Sequence, residues 1–219
     1  MHGTVECPKF FLTLIKKHKI KQVALEFPII YQKEINQYFS GKRKLEDLSI
    51  FKDKAENHDG RASESIKKLI ANLKKNKIKI YFIDSESDYL KRDYFMAKNL
   101  TRINGKVAFL CGNIHASKKV ITFPGIFLII NKLLSLFKKG LKISNNEIKT
   151  TGSYLPKKET VSYKIIAING GEFYNLVKKK IKLDVRFSDI KVKELPKITE
   201  SLEEGYDYYY LINKFTFSN

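Results

Sequence analysis

Along the first half of the chain, short apolar runs alternate with stretches whose apolar residues recur at helical spacing. Pro8 to Lys19 carries Phe10, Phe11, Leu14 and Ile15 on one face and predicts a helix, with a proline tolerated in its first turn. Val23-Ala24-Leu25-Glu26-Phe27 follows as a short buried strand, stopped by Pro28. Tyr31 to Phe39 reads as a helix closed by Gly41. A charged stretch leads to the turn His58-Asp59-Gly60-Arg61. The next helix, with Ser63 suited to cap its first turn, runs to Lys75 on the stripe Ile66, Leu69, Ile70 and Leu73. Ile78 to Ile83 predicts a strand ending at Asp84, Tyr89 to Ile103 a helix, and Val107 to Cys111 a strand opening into Gly112-Asn113. This alternation predicts an α/β fold of parallel strands joined by helical crossovers.

The later part is less regular. The segment from about 117 to 156 reads as irregular or lid-like, with a helix expected from Ile126 to Lys139 over or beside a site. Tyr163 to Ile168 predicts a strand ending in Asn169-Gly170-Gly171, and Lys178 to Lys180 a basic surface run. Tyr206 to Ile212 predicts a late strand whose consecutive tyrosines suit a sheet edge or a half-buried position. At 219 residues the chain is expected to form a single domain over residues 1–219.

Composition narrows the choice of partner. Lys+Arg is 42 against 23 Asp+Glu, a formal net charge of +19. Pairs such as Lys67-Lys68 and Lys74-Lys75 solvate helix faces, arginine is scarce beside lysine, and no familiar nucleic-acid motif appears. No specific nucleic-acid partner is therefore expected. Cys7 and Cys111 read as two reduced, partly buried thiols, with neither a disulfide framework nor a zinc-type CxxC pair. The N-terminus lacks a charged stretch followed by an apolar one, so a cytoplasmic protein is expected. The apolar stretch Val120 to Phe137 is interrupted by Pro124, Asn131 and Lys132, and no transmembrane segment is expected. No Walker loop, GxGxxG or GxSxG is present.

The unusual polar residues fall mostly just past the apolar runs. Open α/β sheets bind ligands outside the carboxyl ends of their strands, so residues distant in sequence converge there. His115, after a strand and a Gly-Asn turn, suits a general base or a metal ligand; a plain turn histidine is the structural alternative. Glu26 ends an apolar strand, where a carboxylate is costly unless paired, hydrated or bound to a cation. Arg61 opposes the dipole of the helix it precedes, and Asp59 suits an N-cap region. Arg92 and Asp93 are expected inside a helix, sharing faces with Met96 and Ala97. His18 reads as surface and His58 as a neighbour of the pocket. Imidazole, carboxylate and guanidinium together could activate water and stabilise a developing anion, or hold a divalent ion.

The ordered set of motifs resembles the erythromycin esterase-like/ChaN-like superfamily, which includes the Tiki proteases. The resemblance rests on His2-Gly3-Thr4 with Glu6 and Pro8, Leu25-Glu26-Phe27-Pro28, Asp59-Gly60-Arg61 with Ser63, Arg92-Asp93 with Met96-Ala97, and Gly112-Asn113-Ile114-His115-Ala116. Weaker echoes are Gly152-Ser153-Tyr154-Leu155-Pro156, Gly170-Gly171 and Gly205-Tyr206-Asp207. It implies a three-layer α/β/α fold with a mostly parallel central sheet. It also implies a pocket of His2, Glu26, Arg61, Arg92 and His115, with Glu6, Asp59, Asp93 and Asn113 as binding residues. The activities in that superfamily are mixed, and divalent metal or haem enters some of them; here the metal ligands would be His2, His115 and Glu26. The implied function is a hydrolase acting on a small-molecule or acidic substrate, with Glu26 orienting a histidine or binding a cation. The alternatives are a non-catalytic binder of haem, metal or a small ligand, and a basic interaction module. Such relatives carry an apolar strand and a Gly-Glu pair before the first His-Gly. The sequence begins at Met1-His2, so an unpaired sheet position is expected near Val23 to Phe27 or Val107 to Cys111, open to self-association.

Because the positive charge is spread over several helices, duplex DNA should bind weakly and with steep salt dependence. A fluorescence-anisotropy titration at two salt concentrations checks this, and tight sequence-selective binding at physiological salt would refute it.

Overall fold

The computed structural model describes residues 3–52, 61–85, 91–122, 147–175, 177–182 and 184–218. His2, His58, Asp59 and the helix expected from Ile126 to Lys139 lie outside them. The described chain is an α/β structure with one parallel and one mixed three-stranded sheet.

Helix α1 (Glu6–Lys17) begins with an acidic residue and ends in Lys16 and Lys17, matching its dipole at both ends. Strand β1 (Gln22–Pro28) is buried over its central five residues, Val23 to Phe27. Such a run suits a strand covered on both faces. It pairs in parallel with β2 (Lys79–Asp84) on one side and β3 (Ala108–Leu110) on the other, in the order β2-β1-β3. Among the described residues β1 is therefore the central strand, and β2 and β3 are the outer ones.

Alternation along β1 divides its side chains between two cores. Val23, Leu25 and Phe27 enter a cluster with Phe11 and Ile15 of α1 and with Ile35 of α2 (Gln32–Phe39). A short α3 (Ser49–Lys52) adds Ile50, and α4 (Glu64–Lys75) adds Leu69, Ile70 and Leu73. Ala24 enters another cluster with Ile83 and with Met96 and Leu100 of α5 (Arg92–Thr101). The outer edge of β2 is closed by a side chain: Gln32 Nε2 donates to Ile80 O at 3.0 Å, and Phe82 N donates to Gln32 Oε1 at 2.7 Å. One amide thus reproduces a neighbouring strand.

After β3 come α6 (Asn113–Ala116), the short antiparallel pair β4 (Ile121–Thr122) and β5 (Glu147–Ile148), and α7 (Thr151–Tyr154). A further sheet is ordered β6-β10-β9, from β6 (Tyr163–Ala167), β9 (Lys197–Glu200) and β10 (Tyr208–Ile212). Strand β10 runs parallel to β6 and antiparallel to β9. The hairpin of β7 (Gly171–Asn175) and β8 (Val177–Ile181) exposes Lys179 and Lys180. Gly171 has φ +127°, and a Cβ there would lie 2.4 Å from the backbone of Phe215.

Of the two alternatives for the tyrosine-rich strand the half-buried one holds: β10 is the middle strand, Tyr208 is exposed, and Tyr209 points into a core with Phe187 and is 0 % exposed. Its neighbour Tyr210 faces the other way and stacks on Phe10 of α1, with ring centroids 3.7 Å apart. One expectation is corrected. Arg92 and Asp93 are not in a helix interior, since α5 starts at Arg92 and both occupy its first turn. Among the described residues no helix is long and apolar enough to cross a membrane.

The first and last described segments pair. Thr4 bridges Phe217, Val5 N donates to Thr216 O at 3.0 Å, and Ser218 N donates to Gly3 O at 2.8 Å.

The hydroxyl of Tyr209 is buried with no hydrogen-bond partner among the described residues. An unsatisfied buried hydroxyl costs about 1–3 kcal/mol. Tyr209→Phe should therefore raise the unfolding free energy by about 1 kcal/mol, measured by urea denaturation; a loss of stability would reveal a partner for that oxygen.

Candidate functional site

The site forms where β1, β2 and β3 end. Glu26 lies where the β1–β2 register shifts between Leu25 and Pro28, so the ladder opens at that point. Its side chain is 5 % exposed, and Asp84 at the end of β2 is equally buried. Two adjacent buried carboxylates require cations. Arg92, in the first turn of α5, bridges them: Nη2 lies 2.7 Å from Glu26 Oε1 and 2.5 Å from Asp84 Oδ2, while Nε donates to Asp84 Oδ1 at 2.8 Å. Burial works against the charge on Arg92, but the hydrogen bonds to Asp84 and the charge of Glu26 outweigh it and raise its pKa. Arg61, just ahead of α4, donates from Nη1 to Glu26 O at 3.0 Å and to Asp84 Oδ2 at 3.2 Å. The other oxygen of Glu26 accepts from Gly112 N at 2.9 Å. This places the start of α6 against β1.

His115 sits on α6. Its Nδ1 lies 2.8 Å from Asp93 Oδ1, and the same oxygen accepts from Thr151 N and Thr151 Oγ1, each at 2.6 Å. An ionised Asp93 accepts only, so Nδ1 carries the proton and Nε2 is the nitrogen left for chemistry. Nε2 lies 3.6 Å from Glu26 Oε1. Burial lowers the pKa of His115, but the Asp93 hydrogen bond and the charges of Glu26 and Asp93 more than reverse this. The net shift is upward from 6.5. Burial likewise pushes Asp93 up, and its bonds to His115 and Thr151 bring it below the usual carboxylate range. The residue bonded to the histidine is thus Asp93, whereas the sequence reading gave Glu26 the task of orienting a histidine or binding a cation.

Glu26, Arg61, Asn113 and His115 line a cleft of ≈ 1020 Å³ that also takes in Thr4, Cys7 and Cys111. Both thiols are free. Burial raises the pKa of each, and at Cys111 the charges of Glu26 and Asp93 raise it further, so neither is an activated nucleophile. Asn113 contributes its carbonyl, which accepts from Tyr206 Oη at 2.7 Å. Glu6 stands apart from the cluster, with Oε2 accepting from Thr216 N at 2.9 Å. Ser63 occupies the N-cap position of α4 without making a capping bond, its hydroxyl instead meeting that of Ser65.

The described donors do not fit a metal ion. Among the described residues no three histidine, cysteine or carboxylate side chains form a group that could hold one, and His2 of the expected set lies outside them. Guanidinium groups already compensate Glu26 and Asp84.

Sequence reasoning passed over Asp84, Thr151 and the pair Lys118–Asp207, whose atoms lie 2.9 Å apart. Asp84 did carry a signal, because it ends an apolar strand as Glu26 nearly does. No protein-family model, curated protein or solved structure matches the chain.

Arg92→Ala strands two buried carboxylates and should destabilise the fold by about 3 kcal/mol. Arg92→Lys should recover only part of that, because an ammonium cannot reproduce the fork that spans both acids. Urea denaturation of the two variants checks this, and equal stability of Arg92→Ala and the native protein would refute it.

Proposed function

We propose that this chain is a hydrolase of the erythromycin esterase-like/ChaN-like superfamily, with a three-layer α/β/α fold, and that it cleaves an ester of a small molecule. The single observation carrying this reading is the Asp93–His115 pair at the mouth of a cleft. Neutral His115 takes a proton from water through Nε2 as the water attacks the carbonyl carbon, and Asp93 stabilises the imidazolium that results. Arg61, which lines the cleft, meets the negative charge that develops on the carbonyl oxygen, or an acidic group of the substrate. Collapse of the intermediate returns the proton to the departing alcohol, leaving acid and alcohol as products. Arg92 acts through Glu26 and Asp84 as a positioning residue. Placement of these groups where parallel strands end supports the superfamily reading.

The test uses 4-nitrophenyl acetate, butyrate and octanoate. His115→Ala should lower kcat/KM about 100-fold while the protein stays folded. Since the base is the neutral ring, the native rate should rise with pH through a midpoint above 6.5, in line with the raised pKa of His115. Asp93→Asn removes two of the three interactions that raise it, leaving the charge of Glu26, and should move that midpoint down. A rate indifferent to both substitutions, or one that falls as pH rises through this range, would refute the assignment.

A further inference from the structure

The cleft is more than the mouth of the site. Along one wall it is lined by every residue from Lys106 to Cys111, and along another by Ser162, Tyr163 and Ile165. Successive strand residues point to opposite faces, so a cavity touching all of them runs along the strand's edge. Strand β3 ends one three-stranded sheet and β6 ends the other. Among the described residues no hydrogen bond reaches the outer edge of β3, or that of β6 from Tyr163 to Ile166. Ala108, Phe109 and Leu110 are accordingly only half-buried, whereas the centre of β1 beside them is wholly buried.

The gap is built and held. Helix α1 spans it on one face, with Phe11 in the core of the first sheet and Phe10 in that of the second. Leu155 packs beside Phe109 and Val107 in the cluster under α5. Ser162 Oγ donates to Ala116 O at 2.5 Å, and Lys118 Nζ joins Thr160 O to Asp207. The contrast with β2 is informative, because its outer edge is blunted by Gln32.

Apolar walls would suit many ligands, but among the described residues two facing rows of open backbone donors and acceptors are matched along their length best by another backbone. We propose that the cleft between β3 and β6 accepts one extended segment of a separate polypeptide as a β-strand, bridging the two sheets. The net charge of +19 draws acidic segments and repels basic ones. The occupant is therefore an apolar strand with acidic flanks. This inference stands independently of the hydrolase reading.

The test uses N-acetylated eight-residue peptides alternating valine, isoleucine or phenylalanine with threonine, carrying Glu-Glu or Lys-Lys at both ends. Hydrogen–deuterium exchange on the full chain should show acidic-flanked peptides slowing the amides of both 107–111 and 163–166 at least tenfold. The lysine-flanked versions should bind more weakly. Methylating alternate peptide nitrogens keeps the apolar content and should abolish the protection. The proposal is overturned if no peptide protects either strand, if only one strand is protected, or if the methylated peptides protect equally. It also fails if dodecanoate, an apolar acid without amides, gives the same pattern, or if the protein without peptide protects both strands by dimerising. Activity of His115→Ala enters none of these readouts, so failure here and failure of the esterase assignment are separable.

Discussion

Glu26 and Asp84 stand side by side at the ends of neighbouring strands, nearly shut off from water. Their mutual repulsion would splay β1 and β2 at the point where the ladder already loses register. The guanidinium of Arg92 holds them together, with Arg61 bonding both Asp84 and the backbone of Glu26. The neighbouring elements take their positions from that cluster. The first turn of α5 is docked by Arg92, so the next residue, Asp93, has one position open to it. Asp93 in turn fixes His115 and receives Thr151 from α7. The remaining oxygen of Glu26 seats Gly112 and with it the start of α6. Ion pairing here locates elements rather than merely stabilising them; removing one partner from such a buried pair costs more than the pair contributes.

The charges also set the state of the histidine. Asp93 bonds one nitrogen of His115 and Glu26 lies near the other, and the charges of both raise the pKa of the ring. A ring that is easily protonated and held by an acid on the side away from the cleft is suited to taking a proton and giving it back. The same crowding of cations and acids explains why the donor atoms leave little for a metal.

Much of this was readable from the chain. Strand β1 and helices α1, α2 and α4 follow from local periodicity and lie within two residues of where the apolar spacing puts them. Grouping of Glu26 and His115 was legible because each lies at or just past a strand end, while Arg61 and Arg92 joined them through the family resemblance. The rest depended on contacts no local pattern encodes. Whether the tyrosines of β10 sit at an edge or a centre is decided by β6 and β9, which flank it from elsewhere in the chain. Splitting of the strands between two sheets is invisible to periodicity, which reports a strand's faces and not its neighbours. Gln32 looked like any polar helix residue, although it completes the edge of β2. Asp93 was legible as a binding residue, but its bond to His115 was not, because the helix was expected to start a turn earlier and the partner comes from α6.

The pairing of residues 3–6 with residues 216–218 bears on how the molecule comes into being. Glu6 and Thr216 bond across a sequence separation of 210, and Gly3 and Thr4, beside the cleft, are pinned by residues 217 and 218. During synthesis the nascent chain therefore carries its first turn of α1 unanchored until residues 216–218 have left the ribosome. The half formed by β1, β2 and α4 can collapse early around local contacts, but this wall of the cleft closes last. Contacts of such long range slow folding, since the loop they close is ordered before they repay it. Any activity requiring the complete cleft is in this way tied to chains that reach residue 218, and a prematurely released fragment would hold the charged cluster without the walls that enclose it.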